Sequence, residues 1–175
     1  IADTHPRVII AGFGRMGQIV GRMLRAQKIA FTALENSAEQ VDFSRRFGSQ
    51  IYFGDPARAE ILRAAGVGRA EVFVLTTDDP DTNIRTARLV RRLFPHIRIL
   101  ARARNRQHAF KLMDMGVDIV RETFHSSLVL GERVLRELGL PEDVARERRE
   151  RFREHDEALL REQHLVYDDE AALIA

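Results

Sequence analysis

Gly12-Phe13-Gly14-Arg15-Met16-Gly17 has the spacing G-x-G-x-x-G, and Glu35 stands 18 residues past its last glycine. Glycines so spaced do specific work where a chain turns from strand into helix. The first permits the tight turn, the second lets the main chain approach a pyrophosphate, and the third lets the helix pack close to the strand. The anion then sits at a helix N-terminus, where unpaired N–H groups and the positive end of the helix dipole stabilise it. A carboxylate at Glu35 accepts hydrogen bonds from ribose hydroxyls and repels a 2′-phosphate, which favours NAD(H) or AMP over NADP. Alone the glycine pattern is a weak signal, so the flanking elements decide whether it counts.

Those elements are legible. Residues 7–11, Arg-Val-Ile-Ile-Ala, form an apolar run that breaks at Gly12, and residues 16–27 carry Ile19, Val20, Met23 and Leu24, a strand followed by a helix. Phe31–Leu34 ends at Glu35 and is followed by a helical stretch with Val41, Phe43 and Phe47 that closes at Gly48. Ile51-Tyr52-Phe53 stops at Gly54-Asp55-Pro56, where Asp55 is placed to cap a helix and Pro56 to take its first position. Val72–Leu75 is expected to be a strand buried on both faces. Asp79-Pro80 opens a helix with Ile84, Ala87, Val90, Leu93 and Phe94 on one side; Ile97–Ala101 is a fifth strand, and residues 106–115 and 119–120 add a helix and a short strand. This alternation predicts an α/β fold, a doubly wound Rossmann-like parallel sheet over residues 6–121.

From residue 122 to 175 the pattern is helical only. Ser126–Leu138 carries Leu128, Leu130, Val134, Leu135 and Leu138 and is stopped by Gly139. The segment from Pro141 is highly charged, with Glu147–Arg151 and Glu157–Arg161 at supportive i,i+4 spacing and few apolar anchors, chiefly Val144, Phe152, Leu159 and Leu160. It is either a solvated helix on its own domain or an arm crossing to a second subunit of a homodimer.

Two more strand ends point at the crevice, Gly54-Asp55 and Thr76-Thr77-Asp78-Asp79, because open α/β sheets bind ligands outside the carboxyl ends of their strands. For Asp55, Asp78 and Asp79 helix capping competes with ligand contact. Asn36, directly after Glu35, and Arg102, directly after the fifth strand, complete the candidate nucleotide contacts.

The 175 residues are 45% hydrophobic and 31% charged, which suits a globular protein, and the longest apolar runs are too short to span a bilayer. With no cysteine there is no disulfide, thiol nucleophile or thiolate metal site, and a reducing compartment fits. Residues 1–140 carry 22 basic and 15 acidic side chains, whereas 141–175 carry 6 and 11, so a basic body precedes an acidic tail. Both signs are interspersed with no aromatic-interleaved basic stripe, so no nucleic-acid partner is expected. The six histidines have no metal-ligand spacing and no nucleophile motif beside them, and only 54 residues follow the sheet, too few for a typical substrate domain. The residues therefore read as a regulatory binding module with no catalytic residue and no metal. The competing readings are the cofactor half of a truncated NAD-dependent dehydrogenase and a soluble redox-sensing protein.

The glycine turn with Gln18, together with Phe53-Gly54-Asp55, Asp78-Asp79-Pro80-Asp81-Thr82-Asn83, Ala101-Arg102-Ala103-Arg104 and Arg121-Glu122-Thr123-Phe124, resembles the cytosolic nucleotide-binding domain of the Kef group of glutathione-gated potassium/proton antiporters. The resemblance covers roughly residues 7–160. It implies a regulatory domain of the KTN or RCK type that dimerises, binds an adenine nucleotide and restrains or releases a membrane antiporter domain of the same polypeptide. Glutathione holds such systems closed and glutathione adducts open them. Arg22 and Arg121 match arginines the family uses for glutathione, and Asp156 stands where the family has asparagine. A start at Ile1 without methionine fits a cytoplasmic domain cut from behind the transmembrane part of an inner-membrane protein. On the residues alone, Arg22 also reads as a solvated helix residue, and Arg121 as a partner of Glu122 or a strand-end cap.

Overall fold

The computed structural model describes residues 5–45 and 51–168. The chain runs β1 (Val8–Ala11), α1 (Arg15–Ala26), β2 (Phe31–Glu35), α2 (Ala38–Arg45), β3 (Ile51–Phe53), α3 (Ala59–Ala65), β4 (Val72–Leu75), α4 (Pro80–Leu93), β5 (Arg98–Ala103), α5 (Arg106–Asp114), β6 (Asp118–Arg121), α6 (Phe124–Glu137) and α7 (Glu142–His164). Phe47 and Gly48, expected to close the second helix, lie outside the described residues.

The chain divides into two compact units. The first takes residues up to Ala103 with Lys111–Val120, and the second takes Arg104–Phe110 and the described residues from Arg121 on. The six-stranded parallel sheet has the order β3-β2-β1-β4-β5-β6, the doubly wound arrangement expected from the sequence. Val8 pairs with both Phe31 and Val72, and Ala11 with both Leu34 and Leu75. The strand order reverses direction between β1 and β4, so a crevice opens between their carboxyl ends at the place where the glycine turn leaves β1.

Right-handed crossovers carry α1 and α2 over one face of β1 to β3, and the return through β4 to β5 puts α3 and α4 on the other. On the first face Val8, Ile10, Phe13, Phe31, Ala33, Val41 and Ile51 form a buried cluster. At about 25 cal/mol per Å² of apolar surface, such a cluster is the main force aligning the turn with its neighbours. Gly21 of α1 sits where a Cβ would come within 3.0 Å of both the Phe13 and Phe31 rings, so this helix lies close on the sheet.

Two expectations need correction. Val72–Leu75 is not buried on both faces: Phe73 and Leu75 are buried, whereas Val72 and Val74 are only partly covered. The run of apolar residues is the same either way, but Val72 and Val74 pack at the margin of the cluster that α1 and α2 cover and keep part of their surface exposed. The helix after β3 begins at Ala59 with Arg58 at its N-cap, not at Pro56. Asp55 instead accepts a hydrogen bond from the Ala57 N–H (2.9 Å), a local turn that delays the helix.

In the second unit α6 packs on α7. Gly139, at φ 104°, ends α6 as predicted, with its N–H on the Arg136 carbonyl and that of Leu140 on Leu135. Glu132 and Arg149 join the two helices at 3.4 Å, and Arg136 and Glu142 at 2.6 Å. Glu147 pairs with Arg151 as the spacing predicts, while Glu157 is held by Arg153 one turn earlier. Ala145 and Leu160 are the buried residues of α7, and α6 has none. Leu130 and Leu138 are 65% and 76% exposed. Among the described residues no helix is long and apolar enough to cross a membrane.

Candidate functional site

The turn between β1 and α1 is built from backbone with no room for side chains at two of its glycines. Gly12 adopts φ +99°, and a Cβ there would overlap the Thr77 backbone nitrogen; a Cβ at Gly17 would overlap the Gly12 carbonyl oxygen. Gly14 differs, since a Cβ there meets nothing within 4 Å. The chain is tight where it must turn and pack, and open at the glycine a ligand would approach.

Gly14 is the N-cap of α1, so the first turn has no capping side chain, and it contains no acidic residue. Its leading N–H groups remain available to an anion, and the helix dipole adds positive potential at the same place. These residues fit a phosphate group. Phe13 contributes through its backbone, since its ring is buried against Phe31 with centroids 6.2 Å apart. Arg15 is exposed and Met16 half-buried.

Glu35, at the end of β2, reaches this turn. Its Oε1 accepts from the Phe13 N–H (3.1 Å), and its Oε2 accepts from the N–H groups of Asn36 (2.9 Å) and Ser37 (3.2 Å). Three backbone donors thereby fix the carboxylate beside the turn and leave about one of its four lone-pair sites for a sugar hydroxyl. The Gly54 N–H donates to the Glu35 carbonyl at 2.9 Å, which brings the end of β3 to the same place.

On the other side of the crevice, the buried Thr76 hydroxyl donates to the Gly12 carbonyl at 2.6 Å. Thr77 follows with a buried hydroxyl. Arg102, at 11% side-chain exposure, donates to the Thr76 carbonyl (3.4 Å) and to the exposed Asp78 carboxylate (2.7 Å), linking the ends of β4 and β5. Asp79 caps α4, accepting from the Thr82 N–H and hydroxyl. The three crevice aspartates therefore have three separate duties: a turn at Asp55, an ion pair at Asp78 and a helix cap at Asp79.

The remaining candidates form a different kind of site. Arg22 is exposed on α1 in the first unit. Arg121 and Asp156 belong to the second unit, where Nη1 of the arginine meets Oδ1 of the aspartate at 2.5 Å, with side-chain exposures of 15% and 16%. The other carboxylate oxygen takes Arg106 at 3.3 Å, and Arg106 also donates to Gln163. The Arg121 guanidinium lies 3.6 Å from the centroid of Phe124, a cation–π contact. Of the two partners considered for Arg121 from the residues alone, Glu122 and a strand end, neither is the one found here.

Thr76 as a donor to the turn, Arg106 and Phe124 were not singled out by their chemistry in the sequence. Phe124 lay within the Arg-Glu-Thr-Phe motif three residues from Arg121, the one available signal. Among the described residues no group of three or more histidine, aspartate or glutamate side chains could hold a metal ion.

Residues 8–122 match the TrkA-N domain, and residues 126–175 match the potassium efflux system KefB C-terminal domain. The chain is 39% identical over 176 residues to the glutathione-regulated potassium-efflux system protein KefC of Escherichia coli O139:H28 (strain E24377A / ETEC), with all of this chain matched. It spans 28% of that relative's length. Among solved structures it is similar to the Shewanella denitrificans Kef CTD in AMP bound form, with a TM-score of 0.83, 38% identity and coverage of 91% of this chain and 98% of that one. The TrkA-N domain of inner membrane protein ybaL from Escherichia coli shares the fold, with a TM-score of 0.66, 24% identity and coverage of 80% and 100%. The chain belongs to the TrkA-N domain family and, within it, to the Kef C-terminal domains.

Proposed function

We propose that this chain is a nucleotide-binding regulatory domain that gates a monovalent-cation (potassium/proton) antiporter of the same polypeptide, holding AMP or NAD(H) in the crevice. The observation that carries the reading is the turn itself: glycines closed at Gly12 and Gly17 and open at Gly14, an uncapped helix end, and the Glu35 carboxylate beside them. The AMP in the 38% identical Kef CTD makes AMP the first choice. The domain acts by binding, without turnover, at the cytoplasmic face of an inner membrane.

In this reading residues 6–121 are the nucleotide-binding domain and 122–175 a helical extension that completes a homodimer; residues 169–175 lie outside the described part. The exposed Leu130 and Val134 of α6, with Leu138 at its C-cap, supply the apolar surface for a two-fold partner. Glutathione or its adducts are the signal, as the name of the KefC relative suggests, and Arg22, Arg121 and Asp156 are their proposed contacts.

Calorimetric titration with AMP, NAD, NADH and NADP tests the nucleotide assignment. AMP or NAD(H) is expected to bind at one site per chain, with NADP weaker, and to stabilise the chain by about 2.7 kcal/mol at a hundredfold excess over Kd. A chain that binds none of these nucleotides sinks the reading.

A further inference from the structure

The Gly12 carbonyl and the Phe13 N–H belong to one peptide unit, and the structure holds both ends of it. The carbonyl accepts the Thr76 hydroxyl at 2.6 Å, and the N–H donates to Glu35 Oε1 at 3.1 Å. A trans peptide is planar, with its C=O and N–H pointing in opposite directions, so turning one end turns the other. Gly12 sits at φ +99°, a backbone conformation that glycine adopts readily and other residues rarely do, so no side chain at that position helps to fix the unit.

We infer that Thr76 is a positioning residue of the phosphate-binding turn, and that it sets the place of Glu35 through the Gly12–Phe13 peptide. Thr76 is 4% exposed, its hydroxyl also lies 3.3 Å from the Ala11 carbonyl, and the Thr76 N–H bonds that same carbonyl at 2.8 Å. Thr76 is therefore fixed to β1 by its own backbone while its side chain engages the turn. By taking the Gly12 carbonyl into the protein it keeps that oxygen's negative end away from an incoming phosphate. Across the crevice the result is a relay: β4 through Thr76, the peptide, then the carboxylate at the end of β2. Thr76 acts on the ligand through this peptide and need not touch it.

The affinity arm of the test rests on the nucleotide reading above; a second arm does not. AMP affinity is measured by calorimetry for the wild type, Thr76→Val, Thr76→Ser, Glu35→Ala and the Thr76→Val/Glu35→Ala pair, and exchange of the Phe13 amide is followed by NMR without ligand. Thr76→Val is expected to lose about tenfold in affinity, the loss of one well-placed hydrogen bond, while Thr76→Ser keeps the wild-type value. The double variant should bind no more weakly than Glu35→Ala alone, because both substitutions break one relay. Phe13 exchange should quicken in Thr76→Val and return to normal in Thr76→Ser; Thr76→Ala serves the same purpose if the valine variant does not fold. If wild-type chain binds no AMP, the nucleotide reading fails and the exchange result alone decides the relay. Wild-type exchange in Thr76→Val, or losses that simply add in the double variant, overturns the inference.

Discussion

The crevice of the first unit and the arginine cluster of the second are both suited to anions, yet they are prepared in opposite ways. In the crevice the donors are backbone N–H groups at an uncapped helix end, and the nearby carboxylate is held by backbone donors to one side. Nothing acidic occupies the first turn. In the cluster the guanidinium groups of Arg106 and Arg121 converge on one carboxylate, Asp156, that already balances much of their charge. An anion at the helix end would have no internal carboxylate to displace in the first turn, whereas a ligand carboxylate at Arg121 would have to displace Asp156. The cluster makes affinity depend on a competition that a single substitution can shift.

The largest effect should come from closing the crevice. In Gly17→Ala the new Cβ overlaps the Gly12 carbonyl oxygen and presses on the Thr76 hydroxyl at 3.1 Å, so backbone must move against backbone. Overpacking of this kind costs about 1–3 kcal/mol, and AMP binding should be lost with it. Gly14→Ala is the contrast, because its Cβ faces open space. It should melt like the wild type yet bind AMP more weakly, since the methyl stands where a phosphate would approach. Thermal melts and AMP titration of the pair check this; equal AMP affinity in Gly14→Ala would put the phosphate elsewhere.

Next in size is Glu35→Ala. Loss of hydrogen bonds to an ionised carboxylate amounts to about 1.5–3 kcal/mol, roughly tenfold to a hundredfold in AMP affinity. Adenine without ribose should be insensitive to the change, which separates a sugar contact from a general loosening of the turn. Unchanged AMP affinity would remove Glu35 from the site.

Asp156→Asn probes the other region. The amide keeps one acceptor but removes the charge shared by Arg106 and Arg121, so stability should fall by about 1 kcal/mol. Glutathione binding should tighten at the same time, because two arginines would then lack their internal partner. The opposite signs are the test. Lower stability with unaltered glutathione affinity would make the cluster purely structural.

The contrast between the regions also explains what could be read beforehand. The glycine spacing, Glu35 and the order of strands and helices rest on short-range rules, and those elements appear in the fold as expected. Asp79 and Gly139 do the capping and stopping expected of them for the same reason. Thr76 is placed at the crevice by its strand end, but its hydrogen bond to the turn is not, because the partner carbonyl is 64 residues away and carries no side-chain signature. Arg106 and Asp156 lie 50 positions apart among many arginines and acids, so nothing in the sequence marks that pairing over others. Val72 and Val74 look like residues buried on both faces because composition records apolarity and not which helices reach over the strand.

The smallest effect separates two duties that the sequence left open for one residue. Asp79 stands at the crevice, and its carboxylate either caps α4 or touches the ligand. The Thr82 hydroxyl, and after it the Thr82 backbone N–H, hold its pKa below the ordinary carboxylate value. A depressed pKa in the folded state gives stability that is present above the unfolded value, near 3.9, and is lost as pH falls through the folded value. The window therefore lies below about pH 4. Asparagine caps helices as well as aspartate does and does not titrate. Asp79→Asn should consequently match the wild type in melting temperature and AMP affinity at pH 7, and differ only in lacking this residue's share of the acid loss. Melts from pH 7 to pH 3 read the first comparison, and calorimetry at pH 7 reads the second. A drop in AMP affinity with unchanged melting would move Asp79 from the helix cap to the ligand, and would extend the crevice's contacts from backbone donors to a carboxylate on α4's side.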